Sequence, residues 1–478
     1  MLTEDTFFSP VAELAARIRA RQLSPVELTE GCLARLERFG ARLGAVAAVM
    51  RESALREARQ AEKEIRAGRY KGVLHGIPYG AKDLLATRAA PTTWGARPYK
   101  DQRFDHDATV ILKLRDAGAI LCAKLAMIEL AGGMGYNQAD ASLTGACRTP
   151  WNTDYWSGGS SSGPGAAVAA GLVPFAIGSE TSGSIITPAA FCGVAGLRPT
   201  YGMVSRHGAM ALSWTLDKLG PMCRTAADAG FVLAAIAGRD PLDASSRDGK
   251  FRYPSPAQAN RRPSPARPLR LAVMKDSFEK AQKEVRENFL ASLEVLRKVL
   301  APVRVEMDVK LPDYPYSPAV GTIVDAEGAA AFRELIESGR VAELASPEGR
   351  VGGYAASLVT AVDYLHAMRM RVPMRRAWGE FFQRHDVLVA PSRATVAYPV
   401  GKTFDQAYPG IGASSPIGAS NLVGVPAISV PNGFGQAGLP TGIQFIGAAW
   451  NELTLIELAD KYQQATDWHK RRPNFEGK

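Results

Sequence analysis

Two short runs of hydroxyl and glycine residues carry the chemistry that this sequence suggests. The first, Gly-Gly-Ser-Ser-Ser-Gly, spans residues 158–163, and the second, Ser-Glu-Thr-Ser-Gly-Ser, spans residues 179–184. Small residues let a backbone approach a ligand closely and leave N–H groups free to bind a developing negative charge. A hydroxyl of one run held against a hydroxyl of the other would supply a nucleophile and a proton relay. We therefore interpret the two runs as the catalytic floor of a serine hydrolase.

The segment between the two runs argues against a flexible linker, which is the usual role of Gly/Ser-rich sequence that stands alone. Residues 166–177 are apolar and uncharged, and the second run is followed by Pro-Ala-Ala-Phe-Cys-Gly at residues 188–193. Apolar sequence of this kind is typical of a packed interior. The two runs therefore belong to the core of the protein.

These motifs resemble those of the amidase signature family. The resemblance rests on residues 158–163, on Gly-Ser-Glu-Thr-Ser-Gly-Ser-Ile at residues 178–185 and on residues 188–193. Ser160 and Ser184 are 24 positions apart, which is the family's interval between its bridging serine and its nucleophile. The resemblance covers about residues 70–230 and 386–450 of the chain.

The resemblance extends upstream to a lysine. Residues 75–83, His-Gly-Ile-Pro-Tyr-Gly-Ala-Lys-Asp, are similar to the family's segment of Gly-Ile-Pro followed by Lys-Asp. Lys82 then corresponds to the catalytic lysine of the family. A lysine beside the apolar Leu84 and Leu85 can be buried, and desolvation would lower its pKa and yield a neutral amine.

The resemblance implies a three-residue relay. Neutral Lys82 accepts a proton from Ser160, Ser160 accepts one from Ser184, and the Ser184 oxygen attacks the amide carbonyl to form an acyl-enzyme. The relay then reverses to protonate the leaving amine, and water releases the acyl group. The oxyanion would be bound by the backbone N–H groups of Thr181, Ser182, Gly183 and Ser184. No metal ion and no organic cofactor is expected.

The residues alone leave other assignments open. Ser161 and Ser162 adjoin Ser160, and only the family interval selects among these three hydroxyls. His207 is a candidate base, because histidine is the usual partner of a serine nucleophile. However, no Gly-x-Ser-x-Gly elbow surrounds either serine, so we prefer Lys82 as the base.

Two departures from the family pattern bear on the substrate. Ser182 stands where the family usually has glycine, beside the expected oxyanion hole. Ile186 and Thr187 follow the nucleophile where relatives often place an arginine, so a carboxylate-bearing substrate lacks an obvious partner. We therefore expect a neutral, rather apolar amide, anilide or carbamate, with esterase or urethanase side activity left open. The resemblance places the substrate wall in the Gly-rich segment near residue 134, and the substrate-binding candidates are Met134, Gly135, Tyr136 and Ile186.

Two other functions are compatible with the same motifs. The first is the A subunit of a glutamine-dependent tRNA amidotransferase, a relative that uses the same serine and lysine residues and acts with a partner protein. Ser182 and Ile186 count against it, as does the lack of an evident motif for the charged α-groups of glutamine. The second is a binding protein without turnover on an amidase scaffold. The presence of all three relay residues disfavours it.

Composition and charge narrow the partners and the compartment. The 478 residues are 46% hydrophobic and 22% charged, which is ordinary for a globular protein with a sizeable core. The formal net charge is +10, but the clearest basic block, residues 251–270, is Pro-rich and typical of an exposed linker. We therefore expect no direct binding of nucleic acid. The N-terminal residues lack a signal-peptide pattern and no apolar stretch reaches about 18 residues, so we expect a cytoplasmic enzyme without membrane contact.

The cysteines indicate a reducing compartment. There are five, widely spaced and without a Cys-x-x-Cys pair, which predicts neither a disulfide framework nor a zinc site. Cys192 lies near Ser184 in the sequence, but no histidine pattern accompanies it, and we expect it to be buried packing. The expected partner is a small-molecule amide or carbamate substrate, and a homodimer is left open.

A predicted helix at residues 107–118 that leads into an apolar strand at residues 119–123 is typical of a layered α/β fold. The resemblance implies a single large domain with a central mixed, twisted β-sheet covered by helices on both sides. Locally, Ser24-Pro25-Val26-Glu27 predicts a capped helix start, and residues 354–385 predict a helix interrupted or kinked at Pro373. We divide the chain into an N-terminal helical segment packing on the core (1–68), the signature core with the catalytic loops (69–240), a Pro/Arg-rich linker (241–268), a variable α/β segment near the substrate entrance (269–385) and the C-terminal part of the core (386–478).

Overall fold

A mixed β-sheet of eleven strands organises the computed structural model of this chain, which describes residues 2–249, 251–254 and 267–475. In chain order the strands are β1 (Val46–Val49), β2 (Pro78–Lys82), β3 (Ile120–Leu125), β4 (Phe175–Glu180), β5 (Ala195–Arg198), β6 (Lys218–Cys223), β7 (Leu269–Val273), β8 (Val303–Glu306), β9 (Val387–Pro391), β10 (Ala427–Phe434) and β11 (Pro440–Gly447). Their order across the sheet is β1-β3-β2-β4-β6-β5-β10-β11-β9-β7-β8. Strands from both halves of the chain share one sheet, so the predicted single α/β domain is confirmed.

Sixteen α-helices in the described residues surround this sheet. The first eight are α1 (Glu4–Phe8), α2 (Val11–Arg19), α3 (Pro25–Leu43), α4 (Arg51–Arg66), α5 (Thr109–Asp116), α6 (Ser162–Ala169), α7 (Ile186–Cys192) and α8 (Ala226–Ile236). The others are α9 (Lys283–Val299), α10 (Tyr316–Ala331), α11 (Arg333–Glu337), α12 (Pro347–Ala356), α13 (Ala361–Arg384), α14 (Phe404–Ala407), α15 (Ile417–Val423) and α16 (Glu452–Gln464).

Apolar side chains bury both faces of the sheet. Along β9, Val387 and Val389 belong to one apolar cluster, whereas Leu388 between them belongs to another. Residues of β4 alternate between two clusters in the same way. Because successive residues of a strand point to opposite faces, this alternation means that both faces are covered. The predicted arrangement of helices on both sides of the sheet is confirmed.

Parallel pairing brings two strand ends together at the expected site. β2 lies between β3 and β4 and is parallel to both. Ala81 of β2 is in register with Ile177 of β4. Lys82, the last residue of β2, therefore ends beside the second hydroxyl-rich run. Open α/β sheets bind ligands at the carboxyl ends of their parallel strands.

The predicted start of α3 is confirmed by its cap. Ser24 Oγ accepts hydrogen bonds from the backbone N–H groups of Val26 at 3.1 Å and Glu27 at 3.2 Å. These bonds satisfy two of the N–H groups that a helix leaves unpaired at its N-terminus. The Ser24 hydroxyl also donates to Glu62 Oε1 at 2.6 Å, which links α3 to α4.

The helix predicted over residues 354–385 is two helices, and the interruption does not fall at the proline. α12 ends at Ala356 and α13 begins at Ala361, whereas Pro373 lies inside α13. Thr360 Oγ1 accepts the backbone N–H of Asp363 at 3.1 Å and so caps α13. The chain therefore breaks at residues 357–360.

Part of the predicted linker lies outside the described residues, namely residue 250 and residues 255–266. The strands that follow it, β7 and β8, extend the common sheet through the parallel pair of β7 with β9. The boundaries of the five segments stay predictions.

Candidate active site

The end of β2 places a lysine amine between two serine hydroxyls. Lys82 Nζ donates to Ser160 Oγ at 2.7 Å and to Ser179 Oγ at 2.8 Å. All three side chains are buried. The structure thus brings together Lys82 and Ser160, which the sequence paired, and adds Ser179, which the sequence analysis did not single out.

Burial changes the chemistry of the lysine. Lys82 is fully buried, and desolvation lowers the pKa of its amine from 10.5 to about 7. The nearby carboxylates of Asp217 and Glu180 oppose this shift without cancelling it. A substantial fraction of the amine is therefore neutral near neutral pH and can accept a proton.

The three adjacent serines of the first run make different contacts. Ser160 Oγ accepts the bond from Lys82, whereas Ser161 Oγ donates to the carbonyl oxygen of Ser179 at 3.0 Å and accepts its backbone N–H at 3.2 Å. Ser162 Oγ donates to the carbonyl oxygen of Ala126 at 3.4 Å. Ser161 and Ser162 are thus engaged with the backbone, and Ser160 is the hydroxyl that meets the lysine. The peptide bond between Gly159 and Ser160 is cis.

Ser184 lies just before α7 and against the first run. The backbone N–H of Ser161 donates to the carbonyl oxygen of Ser184 at 3.2 Å, so the two hydroxyl-rich runs are in contact. Ser184 is 9% exposed, whereas Ser160 is 0% exposed. Of these two serines, Ser184 is therefore the more exposed.

The turn that precedes Ser184 presents backbone donors. Among the described residues, no hydrogen-bond acceptor contacts the backbone N–H groups of Thr181, Ser182, Gly183 and Ser184. Gly183 has a φ of 100°, in the region that favours glycine, and Ser182 is exposed. The Thr181 side chain is held separately, because its Oγ1 donates to Asp217 Oδ1 at 2.6 Å. Unpaired donors at one turn are what oxyanion binding requires.

A buried carboxylate anchors the same turn from behind. Glu180 Oε2 accepts the backbone N–H groups of Ile185 at 2.7 Å and Ile186 at 2.9 Å. Its other oxygen accepts from Arg198 Nη1 at 2.9 Å and from Asn421 Nδ2 at 2.7 Å. The sequence analysis gave these polar residues no role, although the carboxylate lies within the second run. The sequence feature that could have identified them is the charged Glu180 within an otherwise apolar and hydroxyl-rich core segment.

The substrate-binding candidates lie in different environments. Met134 is buried and packs under α12, whereas Gly135 is exposed. Tyr136 is partly buried, with its ring centroid 5.7 Å from that of Phe404 at 90°. The Ile186 side chain is fully buried in an apolar cluster. The structure therefore places Gly135 at an exposed position, Tyr136 at a partly buried one and Ile186 in the core.

The two rival side chains are separate from the serines. His207 lines a cavity of about 550 Å³ together with Ser179 and Thr181, but within the described part of the chain it makes no hydrogen bond to Ser160 or Ser184. Cys192 is fully buried, its Sγ donates to the carbonyl oxygen of Ser157 at 3.3 Å, and burial raises the pKa of its thiol well above the ordinary value. Among the described residues, neither side chain forms a hydrogen bond with Ser184.

Two negative findings concern metals and membranes. Across residues 2–249, 251–254 and 267–475, no group of three or more His, Cys, Asp or Glu side chains is arranged to hold a metal ion. In the same residues, none of the helices combines the length and the apolar character needed to cross a bilayer.

A family model and several known proteins match most of this chain. A family model described as Amidase matches residues 27–456. The chain is 37% identical to the A subunit of the glutamyl-tRNA(Gln) amidotransferase of Chloroflexus aggregans, over 96% of either sequence. The crystal structure of a peptide amidase from Stenotrophomonas maltophilia superposes with a TM-score of 0.82 and 32% identity, over 98% of this chain and 99% of that chain. The A subunit of the glutamyl-tRNA(Gln) amidotransferase of Thermotoga maritima superposes with a TM-score of 0.75 and 26% identity, over 97% and 96% of the two chains.

The family match extends from α3 to α16 and includes both hydroxyl-rich runs and the lysine at the end of β2. These findings show that the chain belongs to the amidase signature family.

Proposed function

We propose that this chain hydrolyses an amide C–N bond with Ser184 as the nucleophile, Ser160 as the bridging hydroxyl and Lys82 as the base. The observation that carries this proposal is the buried Lys82 amine, which lies 2.7 Å from Ser160 Oγ and has a pKa of about 7. A general base is most effective when its pKa lies near the working pH.

The proton balance of the proposed reaction is complete without a cofactor. As the Ser184 oxygen forms its bond to the carbonyl carbon, its proton passes to Ser160 and the Ser160 proton passes to Lys82. Collapse of the tetrahedral intermediate breaks the C–N bond, and the same relay returns a proton to the leaving amine. Attack by water on the acyl-enzyme repeats the sequence and releases the acid.

The proposed oxyanion hole is the turn from Thr181 to Ser184. Its unpaired N–H groups would bind the negative charge that develops on the carbonyl oxygen, and the bonds from Ile185 and Ile186 to Glu180 hold the following residues in place. Loss of one oxyanion donor typically costs about 2.7 to 4 kcal/mol of barrier.

The sequence predicts two alternative classes of substrate. The first is a neutral, rather apolar amide, anilide or carbamate, and the likeness to a peptide amidase supports it. The second is the amide of glutamine, with a partner protein in a tRNA amidotransferase. Relatives that share 35 to 37% identity with this chain include amidotransferase A subunits, which favour the second class over the first.

Active-site labelling tests the reaction proposal. A serine-directed phosphonate should add once to the wild-type chain, as read by intact mass, and should fail to add to Ser184→Ala. The matched control is Ser161→Ala, whose hydroxyl is engaged with the backbone of β4 and which should still be labelled. An adduct that persists in Ser184→Ala would show that another residue is the nucleophile.

Ammonia release separates the two substrate classes. The purified chain is assayed with glutamine and with neutral primary amides of similar length, alone and after co-purification with any bound protein. Turnover of neutral amides by the isolated chain supports a stand-alone amidase. Turnover of glutamine that depends on a co-purifying protein supports the role of an amidotransferase component. The homodimer and the cytoplasmic location stay predictions.

A further inference from the structure

A second cavity, of about 340 Å³, opens at the carboxyl end of β9. It is mainly lined by polar side chains, several of them hydroxyls, and includes Arg393, Thr395, Tyr398, Tyr408 and Ser415. No step of the proposed relay uses any of these residues. The cavity is large enough for a small polar group, and its chemistry can be worked out from its donors.

Arg393 is the basic residue that lines this cavity, and within the described part of the chain its side chain makes a single hydrogen bond. Its Nη2 donates to the Tyr398 hydroxyl at 3.1 Å, and its Nε is buried without a hydrogen-bond partner. Among the described residues, no carboxylate lies within 4.0 Å of the guanidinium. The Thr395 hydroxyl is also buried without a partner. Buried polar groups are normally paired, so unpaired donors on a cavity wall point to a bound group.

The one acidic residue that lines the cavity does not neutralise this arginine. Asp405 is exposed, and its Oδ1 accepts a hydrogen bond from Asn137 Nδ2 at 2.8 Å. An exposed carboxylate is screened by water and salt, whereas a partly buried guanidinium is screened less. The interior of the cavity therefore favours an anion.

Chains of side-chain contacts connect the wall of the cavity to both hydroxyl-rich runs. Phe404 of its wall stacks on Trp156, with ring centroids 4.6 Å apart at 18°, and Trp156 packs directly on Gly159, which precedes Ser160. On the other side, Ser415 Oγ accepts the backbone N–H of Ile417 at 3.4 Å, and the Ile417 side chain packs against Gly183.

The cavity also adjoins the expected substrate wall. Tyr136 contacts Phe404 edge to face, and the Arg393 charge is close enough to oppose the rise in pKa that burial gives the Tyr136 phenol. Arg393 thus acts electrostatically on Tyr136, one of the substrate-binding candidates, and both residues contact the aromatic wall of the cavity.

We propose that this cavity is a subsite for a carboxylate carried by the amide substrate, and that Arg393 is its ligand. The inference rests on the proposed amide hydrolysis at Ser184. The planar guanidinium can bind a carboxylate through two parallel N–H donors, which an ammonium or a hydroxyl cannot match. Arg393 would thereby supply a cation for the substrate carboxylate, whereas Ile186 stands where relatives often place an arginine. The subsite favours acid-bearing amides over the neutral amides that the sequence suggested.

A matched substrate series tests the subsite. The acids run from malonamate to adipamate, and each is compared with the alkanamide in which a methyl group replaces the carboxylate. We expect at least one acid to exceed its alkanamide about tenfold or more in kcat/KM, and Arg393→Gln to reduce that ratio about tenfold. Arg393→Lys should retain part of the preference. Arg286→Gln, an exposed arginine of α9, is the control and should leave the ratio as it is.

A second measurement does not depend on turnover. The diacids from malonate to adipate are tested for slowing the phosphonate labelling of Ser184 in the wild type and in Arg393→Gln. Slowing that is weakened in the variant supports the subsite. The subsite proposal is wrong if the kcat/KM ratio of acid to alkanamide and the slowing of labelling by diacids are the same in the wild type and in Arg393→Gln. The reaction proposal would still stand in that case. If the wild type itself is not labelled, the reaction proposal fails, and the subsite fails with it.

Discussion

The Lys82 amine lies 2.7 Å from the Ser160 hydroxyl oxygen, and both groups are completely buried. Burial lowers the pKa of the lysine to about 7, so the neutral amine is lost as the pH falls below that value. We expect kcat/KM to fall about tenfold per pH unit below about pH 7 and to level off above it. This fall is the acidic limb of the pH–rate profile, and initial rates between about pH 5 and pH 9 measure it.

Two variants control for other titrating groups. Lys82→Arg keeps a positive charge that does not dissociate in this range, and Lys82→Ala removes the base. In both variants we expect the acidic limb of the pH–rate profile and most of the activity to be lost. A limb near pH 7 that survives in Lys82→Ala would assign the titration to another group.

The buried pair of Glu180 and Arg198 gives a prediction about stability and activity together. Both side chains are fully buried and lie 2.9 Å apart, and Glu180 also holds the turn after the nucleophile. Glu180→Gln leaves the arginine charge unpaired, which typically costs about 3 to 5 kcal/mol. We expect a lower midpoint in urea unfolding and a lower kcat. The double variant Glu180→Gln with Arg198→Met should recover part of the stability but not the kcat, because the anchor for the turn is still changed. Equal stability of Glu180→Gln and the wild type would contradict the argument.

The sequence was sufficient for the family, the fold class and the pairing of Lys82 with Ser160. It could not rank three adjacent serines by chemistry, because their environments depend on which backbone they face. Ser161 is hydrogen-bonded to Ser179 of β4, and the lysine that contacts Ser160 ends β2, the parallel neighbour of β4. The same pairing explains why Ser179 was missed.

The middle of the chain shows a second limit of prediction from the sequence. Pro373 suggests an interruption within residues 354–385, but the pattern Thr360-x-x-Asp363 lies earlier in the same segment. That pattern is a helix start, and it marks the break between α12 and α13. Arg393 was missed for a related reason. The residues that line the cavity with Arg393 include Tyr398 and several residues of the loop before α15. No local sequence pattern connects them to Ser184.

Ser179 provides a prediction that separates positioning from structural support. Its hydroxyl oxygen accepts a bond from Lys82 at 2.8 Å, which favours the charged amine. In Ser179→Ala the charged form loses an acceptor, so the pKa of Lys82 should fall and the acidic limb should move to lower pH. We also expect kcat to decrease, because the amine is held by one hydroxyl instead of two. A purely structural role would lower activity without moving the limb.

Lys218 predicts a gain in stability. It lies on β6 opposite Glu180, is almost fully buried, and its amine has no hydrogen-bond partner among the described residues. Desolvation, with a contribution from the Arg198 charge, holds the pKa of Lys218 well below its ordinary value of 10.5. Lys218→Met removes an unpaired buried polar group, and we expect the free energy of unfolding to rise by about 1 to 3 kcal/mol near neutral pH.

The pH dependence of that gain provides its check. Between its lowered folded pKa and 10.5, Lys218 binds a proton in the unfolded chain but not in the folded one. Wild-type stability attributable to this group therefore increases with pH over that window, and the advantage of Lys218→Met should shrink as the pH approaches 10.5. Urea unfolding at neutral and alkaline pH measures the difference, with the exposed Lys298→Met as the control that should change stability by less than about 0.5 kcal/mol at either pH. An advantage of Lys218→Met that stays constant with pH would mean that the amine titrates alike in the folded and unfolded chains.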